Sequence, residues 1–234
     1  MNEQTPSSES RLSRAGVWIF DLDNTLYPAS CNLFAQIDVR MRQFIAEFLG
    51  LPEDEAFAIQ KRYYREFGTT LRGLMLRHGL EPERFLDFVH AIDLAPLTPN
   101  PDLAAALDRL EGRKLVFTNG SEGHAVNVMQ KLGIADHFEG VFDIAAADFI
   151  PKPQPETYQR LVKRHGVDPR ESVLFEDLAR NLVPAAEIGM TTVWVREADH
   201  WTQQEVALPP EHENHVHFQT DDLAAWLGER VGES

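Results

Sequence analysis

Residues 17–28 read VWIFDLDNTLYP, and the fold turns on them. Val17–Phe20 is a short apolar run rich in β-formers that stops at Asp21-Leu22-Asp23. A buried strand ending in acidic residues is how a parallel α/β sheet presents chemistry at its carboxyl edge. Working outward, similar runs recur at Lys114–Phe117, Val141–Ile144, Ser172–Phe175 and Thr191–Val195. Helical patterns lie between them, over Asp102–Leu110, Glu122–Leu132, Pro155–His165 and Asn181–Ile188. Strands alternating with helices predict βαβ units and a mostly parallel sheet. A strand at Val216–Phe218 and a helix over Asp221–Leu227 close the series.

One stretch breaks the rhythm. Leu33, Phe34, Ile37, Met41, Phe44, Ile45 and Phe48 recur at spacings of three and four, which puts them on one helical face. A helix over Glu53–Phe67 follows, opened by Pro52 and an acidic turn and stopped by Gly68. Shorter helices are expected at Thr70–His78 and Glu83–Ile92, with Pro96, Pro99 and Pro101 marking the return. The expected organisation is a disordered tail over 1–15, a Rossmann-like three-layer α/β core from 16–30 and 97–234, and an α-helical cap over 31–96. A cap inserted after the first strand would sit over the sheet's carboxyl edge as a lid.

Bulk properties narrow the function. Asp plus Glu is 37 against 22 for Lys plus Arg, a net charge of −15. Such a surface repels a nucleic-acid backbone, so no nucleic-acid polymer is expected as a partner. A small anionic ligand would instead need a local island of positive charge. No apolar run is long enough to span a bilayer, and the polar first fifteen residues lack the apolar middle of a secretion signal. With Cys31 alone there is no intramolecular disulfide, which fits a reducing cytoplasm. Oligomeric state is left open by the sequence.

Four signals carry chemistry. In Asp21-Leu22-Asp23-Asn24-Thr25, one carboxylate can attack phosphorus to give an acyl phosphate. The second can protonate the leaving oxygen and later take a proton from water. A helix cap or a solvated acidic turn is the competing reading. Thr118-Asn119-Gly120 offers a hydroxyl and backbone N–H groups at a helix start, an anion cradle or an ordinary cap. Lys152 lies between Pro151 and Pro153, which restrict the backbone that aims its ammonium; a surface lysine in a proline-rich loop would look the same. Glu176-Asp177 follows Ser172–Phe175, and Asp177 with Asp21 would supply hard oxygen ligands for Mg²⁺. Each signal is modest alone; their order along the chain, following successive strands, argues against coincidence.

With these four in place, the chain resembles the haloacid dehalogenase-like hydrolase superfamily, whose DxDxT signature is matched by Asp21–Thr25. The resemblance extends over essentially the whole chain after residue 15. It implies Asp21 as nucleophile and Asp23 as general acid/base whose backbone carbonyl reaches the metal. Thr118, Asn119 and Lys152 would hold phosphate, and Asp177 would join Asp21 and Asp23 at Mg²⁺. Glu176 stands where many members carry Asp, which puts its metal contact in question. Because Asp23 is present, phosphate-ester hydrolysis is expected rather than dehalogenation.

A narrower similarity, to the pyrimidine 5′-nucleotidase-type subgroup, rests on three stretches. They are Phe67-Gly68-Thr69-Thr70-Leu71-Arg72-Gly73-Leu74, Leu26-Tyr27-Pro28, and Thr118-Asn119-Gly120-Ser121 with His124-Ala125. It implies a nucleoside monophosphate such as UMP or CMP as the small-molecule phosphate ester. Arg72 on the lid would then offset substrate charge and Tyr27 would stack on the base, against the alternatives of an ion pair and hinge packing. Phosphoglycolate, sugar phosphates, phosphotransfer to another acceptor as in a mutase, and a silent binding module are the other readings. The run Glu211–His217 is histidine-rich but lacks the spacing of a zinc site. His124 has no acid partner in sequence and is read as positioning or packing.

Overall fold

The computed structural model describes residues 8–196 and 214–230. Strand β1 (Val17–Phe20) pairs in parallel with β2 (Arg113–Phe117) on one side and β4 (Ser172–Glu176) on the other. β3 (Gly140–Phe142) flanks β2, while β5 (Thr191–Val195) and β6 (Phe218–Thr220) extend the sheet beyond β4, again in parallel. The order β3-β2-β1-β4-β5-β6 reverses direction between β1 and β4. That reversal opens a crevice at the carboxyl ends of the strands, the position where doubly wound sheets hold ligands.

Alternate residues of the strands face opposite layers. Trp18, Phe20, Val116, Phe175 and Val193 pack on one side against α6 (Pro101–Arg109), α7 (Glu122–Leu132) and α10 (Leu223–Arg230). Val17, Ile19, Leu115, Phe117 and Leu174 pack on the other against α8 (Pro155–His165) and α9 (Ala179–Glu187). With both faces covered, the strands are apolar throughout rather than alternating. Local signals set the helix ends. Asn100 caps α6 through Leu103 N–H, Ser121 caps α7 through His124 N–H, and Gly133 closes α7 at φ 75°.

Helices α2 (Leu33–Leu49), α3 (Glu53–Phe67), α4 (Thr70–His78) and α5 (Pro82–Val89) follow β1 and form a third apolar cluster of their own. Its members include Ile37, Phe44, Tyr63, Leu74, Phe85 and Val89. Ile144 and Phe149, from the loop after β3, also belong to it and tie the helical unit to the core. Gly73 permits the close approach of α4 to α3, since a Cβ there would lie 2.4 Å from the Tyr63 ring.

Several expectations need correction. Of the tail, residues 1–7 lie outside the described residues, but Ser8–Leu12 forms a helix, α1, and Leu12 packs against the sheet's core. Ala15 packs there as well, so a segment that looks polar in sequence has apolar contacts with the core. The final strand is Phe218–Thr220, because His217 pairs first with Thr192 through its N–H and Nδ1, and the ladder begins at Val193 opposite Phe218. The third strand ends at Phe142, where the Asp143 carboxylate turns the chain by accepting from Glu122 and Ala146 N–H groups. No helix among the described residues is long and apolar enough to cross a membrane.

Candidate active site

Asp21 follows β1, and its backbone N–H still joins the ladder through Phe175 O at 2.9 Å. Asn24 takes a left-handed turn at φ 62°, which asparagine tolerates better than most residues, and reverses the chain beneath the strand end. The turn brings Thr25 Oγ1 to donate to Asp21 Oδ2 at 3.2 Å. On the other carboxylate oxygen, Lys152 Nζ donates to Asp21 Oδ1 at 2.6 Å. Lys152 is 1% exposed, and its ammonium also donates to Glu176 Oε1 at 2.7 Å and Phe117 O at 2.8 Å. Three acceptors therefore satisfy its three N–H bonds.

Both oxygens of Glu176 accept hydrogen bonds. Besides Lys152, the carboxylate accepts from Asn181 Nδ2 at 2.6 Å and from Leu178 N–H at 2.8 Å. Ligand atoms of Asp21, Glu176 and Asp177 all lie within 4.8 Å of one another, and all three residues are buried. Burial and crowding show in the acidities of Asp21 and Asp177. Burial raises the Asp21 pKa to about 7; Lys152 pulls it down, while Glu176 and Asp23 push it further up. Asp177 is pushed well above the usual carboxylate range by burial, then by Glu176 and Asp21. Burial works against the Lys152 charge, but Asp21 and Glu176 outweigh it and its pKa is raised. Asp21 and Asp177, buried hard-oxygen donors that resist ionisation, fit a divalent cation, with Glu176 beside them shared with Lys152.

Asp23 has the opposite electrostatics two residues away. Burial alone would raise its pKa, but His124, Tyr27 and His90 outweigh burial and hold it below the ordinary value. Tyr27 donates its hydroxyl to Asp23 Oδ1 at 2.5 Å, and His124 Nε2 donates to the same oxygen at 2.9 Å. The two acidic residues of one motif thus sit in distinct environments, one beside a lysine and one between a phenol and an imidazole.

A cavity of about 160 Å³ lies between this floor and the helical unit. Asp21, Asp23, Thr118, Lys152 and Asp177 line its floor; Phe34, Ile37, Met41, Leu71, Phe85 and Val89 line its apolar wall. Asp38, Gln60 and Lys61 add a polar corner, with Lys61 Nζ 3.0 Å from Asp38. Tyr64 and Arg180 meet at the rim, the guanidinium donating to the phenol oxygen at 2.5 Å.

The structure gathers Asp21, Asp23, Thr118, Lys152 and Asp177, and redirects three other expected residues. Asn119 spends its amide on the Lys152 backbone, accepting from the Lys152 N–H at 2.9 Å and donating to its carbonyl at 3.4 Å, so it aligns two loops rather than offering that amide to phosphate. Tyr27 is 2% exposed with its hydroxyl on Asp23, so its ring has no free face for a base. Arg72 donates to Phe149 O at 2.9 Å and does not line the cavity; it joins the helical unit to the loop after β3. Thr118 Oγ1 accepts from Gly120 N–H at 2.9 Å, which leaves its hydroxyl proton for an acceptor in the cavity. Sequence reasoning assigned no role to Thr25, His90 or Asn181; Thr25 and Asn181 act on carboxylates four and five residues away, whereas His90 meets Ser121 from 31 residues away. In the histidine-rich run, 211–213 lie outside the described residues, and His217 is engaged with Thr192.

A family model described as haloacid dehalogenase-like hydrolase matches residues 17–189. Phosphate metabolism protein 8 of Saccharomyces cerevisiae is 29% identical over 223 residues, covering 86% of this chain and 68% of that protein. The glyceraldehyde 3-phosphate phosphatase of Methanopyrus kandleri is 30% identical over 199 residues, 78% of this chain and 84% of that one. Among solved structures, a HAD phosphatase from Thermococcus onnurineus matches with a TM-score of 0.60 at 21% identity, covering 92% of this chain and 97% of that chain. The L-2-haloacid dehalogenase of Xanthobacter autotrophicus matches with a TM-score of 0.59 at 17% identity, over 94% of this chain and all of that one. At these identities the structural likeness speaks to the fold.

Proposed function

The chain belongs to the haloacid dehalogenase-like hydrolase family, and from that premise we propose that it is a Mg²⁺-dependent phosphoric monoester hydrolase working through an aspartyl phosphate on Asp21. The observation that carries the proposal is the pair of contrasting carboxylates. Asp21 is held by Lys152 and Thr25 on the cavity floor, and Asp23 is held by two donors beside it. Attack by an Asp21 oxygen forms a bond to phosphorus as the bond to the ester oxygen breaks. Asp23 gives its proton to that leaving oxygen, then takes one from the water that hydrolyses the acyl phosphate. In the structure Asp23 favours the ionised form that the second half requires. An incoming phosphate dianion raises its proton affinity for the first half through like-charge repulsion.

Lys152 and Thr118 provide donors for the phosphate oxygens. A divalent cation held by Asp21 and Asp177, with the Asp23 carbonyl, supplies charge neutralisation to the phosphate and to the crowded carboxylates when bound. Together with Lys152 it forms the positive island that an acidic protein needs for an anionic substrate. The acid/base arrangement at Asp23 favours ester hydrolysis over dehalogenation.

Within that chemistry the leading substrate is a pyrimidine nucleoside monophosphate, in keeping with the subgroup resemblance and with a wall of Phe34, Ile37, Met41 and Phe85 suited to a flat apolar ring face. A second reading, a small hydroxylated phosphate ester, draws on the Asp38, Gln60 and Lys61 corner and on the named activity of the Methanopyrus kandleri relative. A single half-buried cysteine, Cys31, is consistent with work in a reducing cytoplasm. The test is phosphate release from the purified protein with Mg²⁺, across UMP, CMP, glyceraldehyde 3-phosphate, fructose 1-phosphate and phosphoglycolate, with chelator controls. Selective release from UMP or CMP supports the first reading, and selectivity for a triose or sugar phosphate supports the second. Release unaffected by chelation removes the metal from the proposal.

A further inference from the structure

His90 caps the end of α5 and so belongs to the helical unit, yet its ring reaches the core. The imidazoles of His90 and His124 stack with centroids 4.4 Å apart and 9° between their planes. His90 Nδ1 lies 2.8 Å from Ser121 Oγ. That oxygen already accepts the His124 backbone N–H at 3.3 Å. The Ser121 hydroxyl thus bridges the His90 ring and the first turn of α7. His124 is 3% exposed and presents Nε2 to Asp23 Oδ1 at 2.9 Å. One continuous set of contacts thus runs from the last turn of α5, through Ser121 and His124, to the carboxylate given the acid/base role.

The torsion that sets an imidazole's plane is broad, so packing on the ring face decides where its N–H points. The core supplies the hydroxyl of Tyr27 as the second donor to Asp23. What packs flat on His124 comes from the helical unit. Burial, followed by the neighbouring His124, lowers the His90 pKa to about 3, so a neutral ring lies on His124 and no charge repulsion opposes the stack.

We propose that His90 is a positioning residue for Asp23, seating His124 so that leaving-group protonation depends on the helical unit being docked on the core. The proposal rests on the acid/base role given to Asp23 above. It differs from a merely structural role in one measurable respect. An alkyl alcohol leaves only when protonated, whereas 4-nitrophenol leaves readily as an anion. Misplacing Asp23 therefore penalises alkyl esters selectively.

The experiment compares wild type, His90→Ala and His90→Phe on a nucleoside monophosphate and on 4-nitrophenyl phosphate, both with Mg²⁺. For His90→Ala the expected result is a kcat loss of about tenfold or more on the alkyl ester, a loss several-fold smaller on 4-nitrophenyl phosphate, and a KM within about twofold. His90→Phe keeps a flat ring on His124 and should recover much of the alkyl-ester rate; it also carries the test if the alanine variant fails to fold. Equal losses on the two esters, or no loss on either, overturn the proposal. A readout independent of turnover is the imidazole ¹⁵N–¹H spectrum, in which His90→Ala should shift the His124 Nε2 resonance. An unchanged resonance also overturns the proposal. If wild type releases phosphate from neither ester, the phosphatase reading fails, and the spectrum still decides whether His90 sets the His124–Asp23 contact.

Discussion

The floor and the wall of the cavity are built on opposite terms. On the floor, ionisable groups are buried and over-determined. Lys152 has three acceptors, Glu176 three donors, and Asp21 a donor on each oxygen. The wall is made of Phe34, Ile37, Met41 and Phe85, side chains held by packing in helices with their own apolar cluster. The difference teaches where exactness resides. A charge in a buried site has to be matched by partners in fixed positions, whereas an apolar surface tolerates changes that conserve volume. Under the proposed function, chemistry belongs to the strand ends that the sheet holds in place, and selectivity to helices whose lining can vary.

That comparison is exposed to direct attack, most severely at Asp21. Asp21→Asn is expected to lower kcat by about 10⁴-fold or more with the fold retained; steady-state phosphate release and circular dichroism check both halves, and near-normal turnover would remove the nucleophile. Asp23→Asn is expected to cost about 10²–10³-fold, read in the same assay, and full activity would remove the acid/base assignment. Lys152→Met leaves Asp21 and Glu176 buried without their cation, so urea unfolding should show a loss of about 3–5 kcal/mol. An unchanged midpoint would mean the floor is less tightly matched than its contacts suggest.

The wall should respond more gently. Met41→Ala is expected to change the ratio of kcat/KM between UMP and a triose phosphate by about two- to tenfold, the scale of a modest apolar contact, while Mg²⁺ dependence stays the same. A comparable loss on every ester would blur the distinction between floor and wall.

The smallest expected effect links the floor to pH. Asp21 has a folded pKa of about 7 against 3.8 for the free group. Between those values the folded chain binds a proton that the unfolded chain has lost, so metal-free stability falls as pH rises through that window. A bound cation takes the place of that proton. The Mg²⁺-induced rise in Tm should therefore be small near pH 5 and larger, by a few degrees, near pH 8. A rise independent of pH would show that the cation does not meet Asp21.

Much of this arrangement was legible in the chain. Helices Glu53–Phe67, Thr70–His78 and Pro155–His165 occur with the expected bounds, because their ends are written locally in proline and glycine. Asp21, Asp23, Lys152 and Asp177 converge because each follows a strand of one parallel sheet. Less legible were the destinations of side chains. Asn119, Tyr27 and Arg72 carry suitable chemistry for a substrate, yet each found a partner inside the protein: the Lys152 backbone, Asp23 and Phe149 O. Sequence shows what a side chain can bond to, not which acceptor the fold brings nearest.

By itself the sequence determined the alternation of strands and helices, the helical insertion after the first strand, and the residue types that gather at the sheet's carboxyl edge. These follow from periodicity and capping, which act over a few neighbours. Only the tertiary structure decided that Asp21 and Asp23 would have opposite acidities, that Glu176 would serve Lys152, and that His90 would lie on His124. Those outcomes depend on burial and on distances between atoms far apart in the chain, which exist only once the sheet has brought its strand ends together and the helices have closed over them.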